Sequence, residues 1–286
     1  DDLITQDGFL FFDAPSVGKD ELLEFEALVQ FEDGTTGNDT VFVLVKNTEI
    51  NNDGFFPDAA SRIVTEDVRP FNPTGQFANV LVHCVYNNQI DQSCRFSALP
   101  IVGQNTPNPT IDDIMDRVVV SHDWMGERFR EYLQTSPVAP DIIQLLEAVT
   151  AVVISVDVRP SFYWAATGAI YLDPDNFWVT PEERDTLNDV PDFRSGFGGD
   201  LQFIMPWRYV QNGRNYLNAT SYPPKERLTR TTADVQADIT WLLFHELAHA
   251  NDFIFPSAHA TLAPDSSPLL FVNDNTIPSD LLDQQL

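Results

Sequence analysis

Basic residues are scarce in this chain: 16 Lys and Arg stand against 43 Asp and Glu, which leaves a formal charge of −27 over 286 residues. Phosphate backbones are held by Lys and Arg, so the balance argues against nucleic acid as a partner and against docking to anionic lipid. Such acidity suits a solvated surface in salty surroundings. No apolar run approaches the length of a membrane span, so a transmembrane segment is not expected. Neither a signal peptide nor an initiator Met opens the chain, and Asp1 reads as the start of a processed one. The expected localisation is export: periplasmic, secreted, or an outer-membrane lipoprotein with its lipid anchor upstream of Asp1.

Cysteine is equally sparse. Cys84 and Cys94 enclose a short polar stretch, and two readings stay open. One is a local disulfide, which an exported compartment favours; the other is a pair of reduced, half-buried thiols. The spacing is too wide for a zinc knuckle. What the chain does have is apolar material, 43% hydrophobic and 12% aromatic, enough for a folded protein of one large or two ordinary domains.

The expected fold class is α+β in two domains. Residues 1–105 read as an antiparallel, immunoglobulin-like β-sandwich, from short alternating runs at 25–31, 40–45 and 77–85 separated by turn residues such as Asp33-Gly34. Residues 103–109 read as a linker. Residues 110–286 read as a mixed α/β domain, opening on a long helix that Thr110 caps and that runs to about Leu133. A second helix follows at 140–149, then strands at 151–158, 161–172 and 201–209, with a helix start at Thr180-Pro181-Glu182-Glu183. His83 and His122 read as structural, having no ligand pattern nearby.

One stretch carries a specific chemistry. The run from Trp241 to Ala250 contains His-Glu-x-x-His at 245–249. On a helix, His245 and His249 project from one face a turn apart and can share one metal ion, while Glu246 lies roughly 100° around the axis, where a carboxylate can take a proton from water. The helix is expected independently of the motif. Thr231 or Thr232 caps it, Asp234 suits its first turn, and Pro256 limits it. Ile239, Leu242, Leu243, Leu247, Ala250 and Ile254 make a core face; Asp238, Trp241, His245, His249 and Asp252 make another, positioned to line a cleft.

These residues resemble the zincin metallopeptidases, over about residues 231–256. The resemblance implies Zn2+ as cofactor, His245 and His249 as ligands, Glu246 as general base, and a peptide or protein as substrate. It departs from the metzincin pattern, which would place Gly at 252 and His or Asp at 255, where this chain has Asp252 and Phe255. A catalytic zinc takes a third protein ligand. Glutamate is absent after Glu246, so the downstream candidates are Asp252, Asp265, Asp274, Asp280 and Asp283, with His259 as an imidazole alternative; Asp252, His259 and Asp265 are preferred, and Asp252 is also suited to orienting His249. A chain truncated at its C-terminus, with the third ligand beyond Leu286, is a further expectation. Tyr171, Tyr209 and Arg208 are candidates to stabilise an oxyanion. In zincins an edge strand binds extended peptide, and 168–172 reads either as that strand or as a buried central one. The alternative function is a non-catalytic exported surface or binding protein with a degenerate or structural metal site.

Overall fold

Two short β-branched runs, Val118–Val120 and Val152–Ile154, lie parallel and are buried on both faces, as strands covered by helices on each side are. The computed structural model describes residues 4–6, 9–15, 21–45, 68–86, 94–156, 158–187, 210–211, 214–215 and 226–275. In chain order its elements begin with β1 (Ile4–Gln6), β2 (Phe9–Phe11), β3 (Glu21–Gln30), β4 (Thr36–Val45), β5 (Arg69–Pro70), α1 (Ala78–Val85), α2 (Val102–Asn105), α3 (Ile111–Met115) and β6 (Val118–Val120). They continue with α4 (Asp123–Thr135), α5 (Ala139–Leu145), β7 (Val152–Ile154), β8 (Phe162–Trp164), β9 (Ala169–Leu172) and α6 (Pro181–Asp185). The last are β10 (Val210–Gln211), β11 (Arg214–Asn215), α7 (Thr232–Phe253) and α8 (Pro268–Asn275).

The main sheet has the order β5-β6-β7-β9-β8. β6, β7 and β9 are parallel, and both edge strands, β5 and β8, run antiparallel to their neighbours. Alternation then sorts the side chains. Val118, Val120, Val152, Ile154, Ile170 and Leu172 share a core with α4, α5 and α7, while Val119, Val153, Ala169 and Tyr171 share one with α1. The molecule is α+β, with helices on both faces of a mixed sheet.

Several sequence expectations give way to this topology. Among the described residues, the N-terminal part holds two antiparallel pairs, β1–β2 and β3–β4, which do not by themselves make a sandwich. The expected boundary at 103–110 is crossed by the main sheet, since Arg69 pairs with Val120 and Pro70 with Val119. The expected linker is partly helical, with Val102 N–H donating to the Val149 carbonyl at 2.8 Å. Residues 78–85 form a helix: Leu81, Cys84 and Val85 recur at helical spacing and are buried, which outweighs the local β-branched run Val80-Leu81-Val82. The long helix from Thr110 is two helices. Thr110 and Asp113 make a capping box for α3, and the valine run 118–120 then leaves the helix to pair with β7.

Cys84 and Cys94 form a disulfide, their Cα atoms 5.3 Å apart. It ties the end of α1 to the loop at 94–101 behind the sheet. At the carboxyl end of β6, His122 opens α4, and its ring sits 3.1 Å from the Ser121 hydroxyl. Burial pushes its pKa down to about 4, with Arg69 adding to the shift and Asp123 opposing it. No helix among the described residues is long and apolar enough to cross a membrane.

Candidate functional site

The motif helix α7 begins where its sequence directs. The Thr231 hydroxyl accepts from Asp234 N–H at 3.3 Å and the Asp234 carboxylate accepts from Thr231 N–H at 2.7 Å, a reciprocal capping box. The Thr231 hydroxyl, and next its amide, hold the Asp234 carboxyl below its ordinary value. Just before the cap, the Arg230 guanidinium lies 3.5 Å over the Trp178 ring and donates to the Trp178 carbonyl at 2.9 Å, anchoring the first turn.

Burial along α7 follows the helical period. Val235, Ile239, Leu242, Leu243, Leu247 and Ala250 are closed against the sheet, α4 and α5, while Ile254, just past the helix, is buried in a separate cluster with Phe96, Ile101 and Leu262. Polar contacts lock the register: Tyr132 and Thr240 hydroxyls meet at 2.8 Å, and the Asn251 amide donates to the Leu145 carbonyl at 3.0 Å. With that face fixed, Trp241, Phe244, His245, Ala248, His249 and Asp252 are left exposed on the other. Asp238, a partly buried residue earlier on the helix, has its carboxyl raised by burial, which Arg230 partly offsets.

The two imidazoles lie side by side. Their ring centres are 5.0 Å apart and their planes cross at 87°. Two imidazoles on one tetrahedral zinc, each with a nitrogen about 2.0–2.1 Å from the ion, have ring centres roughly 5 Å apart, so the separation fits a shared ion. Trp241 stacks on His245 with centres 5.5 Å apart and fixes its ring. Glu246 differs from both: it is 5% exposed, on the border between the exposed histidines and the core.

The other sequence candidates fall in different places. Asp252 is exposed on α7 and Asp265 is exposed in a turn before α8. His259 is buried in the short 3-10 helix Pro256–Thr261, its Nε2 bonded to the Ile254 carbonyl at 3.2 Å. Among the described residues, no set of three His, Cys, Asp or Glu gathers as a metal group, so none of these three joins the pair. Tyr171 is removed as an oxyanion donor. It is fully buried on the face of the sheet opposite α7, and its hydroxyl donates to the Val85 carbonyl. Asp280, Asp283, Tyr209 and Arg208, and the strand expected over 201–209, lie outside the described residues.

Of the two readings of residues 168–172, the buried central strand is the one the structure has. These residues lie inside the sheet, since β9 pairs with both β7 and β8. The edge beside α7 is β8, whose Tyr163 stacks on Phe253 with ring centres 5.7 Å apart. Among the described residues the Tyr163 hydroxyl is buried without a hydrogen-bond partner, and burial raises its pKa. Sequence reading missed β8 as the edge, although Gly168, with φ of 68°, marks the turn that folds β8 back along β9. Comparisons with known protein families, with curated proteins and with solved structures find no match to this chain.

Proposed function

We propose that the chain is a zinc-dependent peptidase, with His245 and His249 as zinc ligands and Glu246 as general base. The observation that carries this reading is the pair of imidazoles on one exposed face of α7, 5.0 Å between ring centres, with Glu246 set beside them. Zinc in such a site polarises a carbonyl and lowers the pKa of water toward about 7. Glu246 takes a proton from the attacking water as the C–O bond forms, then delivers it to the amine nitrogen as the C–N bond breaks. Its burial shields the carboxylate from bulk water and restricts its rotamer.

Two further features support a peptide substrate. Among the described strands, β8 ends the sheet next to α7, which suits an extended peptide adding by backbone hydrogen bonds. Trp241, Phe244 and Phe253 are each about two-fifths exposed around the histidines and would receive apolar side chains (41%, 38% and 43%). The disulfide supports an exported location. The alternative is a non-catalytic exported surface or binding protein, which needs no third ligand, with a degenerate or structural metal site.

Cleavage of an unfolded protein substrate separates the two. The peptidase reading expects cleavage that a chelator stops and added zinc restores. A chain that cleaves nothing in zinc, and keeps a binding activity in chelator, is the surface protein instead.

A further inference from the structure

A cavity of about 300 Å3 opens on another flank of α7, lined by Asp141, Gln144, Glu147, Asn251 and His259 among others. Asn251 follows His249 by two residues, roughly 200° around the helix, so this cavity faces α5 rather than the outward side of the pair. Its volume is at the low end for ligand pockets, room for one long side chain.

Its chemistry is set by what its polar groups have left to offer. The Asn251 amide nitrogen donates to the Leu145 carbonyl at 3.0 Å and the Leu247 carbonyl at 2.8 Å, which uses both its hydrogens and leaves Oδ1 to accept. His259 is 9% exposed, and its Nε2 meets the Ile254 carbonyl at 3.2 Å. A carbonyl only accepts, so Nε2 carries the hydrogen, and in the neutral tautomer Nδ1 then offers a lone pair. That Nδ1 has no hydrogen-bond partner among the described residues. A Cβ added at Gly103 would come 3.1 Å from Nδ1 and 2.8 Å from the Glu147 Cβ, so ring and glutamate share one wall. Glu147 and Asp141 have no basic partner among the described residues. Apart from Gln144, the polar lining accepts and does not donate.

We propose that this cavity binds an organic cation, a guanidinium or ammonium group, with Glu147 as counter-charge and Asn251 Oδ1 and His259 Nδ1 as acceptors. Such a group is all donor and positively charged, the complement of this lining. Leu145 and Pro256, also in the wall, give its aliphatic stem an apolar surface. The assignment is independent of metal at the histidine pair. A free small cation and the side chain of a peptide present the same chemistry.

Isothermal titration of the full chain with N-acetyl-arginine amide, methylguanidinium and N-acetyl-norleucine amide tests it. Saturable binding of a cation is expected, at least tenfold tighter than the neutral norleucine compound. Glu147→Gln should weaken it at least tenfold, and His249→Ala should leave it within twofold. Removing one of 43 acidic residues barely alters a general attraction for cations, so the variant separates this site from surface charge. A shift of the Asn251 side-chain amide resonances on titration of wild-type chain locates the ligand without any variant. Tighter binding of arginine amide than of methylguanidinium assigns the cavity to a basic side chain; equal binding assigns it to a small free cation. No saturable cation binding, unshifted Asn251 resonances, or an unchanged affinity in Glu147→Gln overturns the proposal.

Discussion

On the inward face of α7, Ile239, Leu243, Leu247 and Ala250 are 0–1% exposed against the sheet, whereas on the outward face Trp241, Phe244, His245 and His249 stand open to solvent. The inward face is what any helix packed on a sheet requires, so it reports on folding. The outward face has no such reason to hold two aromatic rings and two imidazoles, and exposed apolar clusters favour association with something. One helix thus separates stability from chemistry by direction around its axis. Glu246 is where the two meet, buried like the core yet next to the exposed pair in sequence.

That contrast can be broken from either side. The largest effect falls on Glu246→Gln: turnover should drop by about 10²- to 10⁴-fold with zinc retained, read by initial rates beside metal analysis. Cleavage at the wild-type rate would remove Glu246 from the chemistry. Next, Leu243→Ala should cost about 2–5 kcal/mol of stability by opening a cavity on the inward face, measured by denaturant unfolding. A change near zero there would mean that α7 is not packed as described.

Acid sharpens the contrast, because it acts on the body of the fold. His122 binds a proton at about 4 when folded and near 6.5 when unfolded. Between those values the unfolded chain holds more protons, so this contribution is complete above about pH 6.5 and is lost as pH falls toward 4, of the order of 2–3 kcal/mol. His122→Gln should flatten that part of the stability curve; an unaltered curve would count against a neutral, partly buried His122. The smallest change expected is Tyr132→Phe, about 1 kcal/mol, through loss of the hydroxyl contact with Thr240. Unfolding of that variant should shift while zinc content does not.

How legible all this was in the sequence depended on how local the determining contacts are. The cap at Thr231, the core positions from Ile239 to Ile254 and the start of α6 at Thr180 rest on neighbours within a few residues, and the structure has each of them. Val118–Val120 needed a partner 34 residues later, at Val152–Ile154, which no local pattern supplies, so the run was absorbed into a helix. The place of Ala169–Leu172 inside the sheet, and with it the burial of Tyr171 on the far face, follows from strand order. Residues 77–85 resemble a strand locally because the β-branched Val80, Val82 and Val85 are concentrated there, although the spacing of Leu81, Cys84 and Val85 is helical. The histidine pair was readable because four residues make one helical turn; a third ligand would come from a distance in sequence, where spacing says nothing.

The most direct test is zinc stoichiometry of the purified chain beside His249→Ala, with unfolding of both measured after chelation. The account predicts one zinc per chain, lost in the variant, and stabilities of the two chelated proteins within about 0.5 kcal/mol of each other, as an exposed residue allows. Zinc retained by the variant, or absent from the wild-type chain when zinc is supplied, would contradict it.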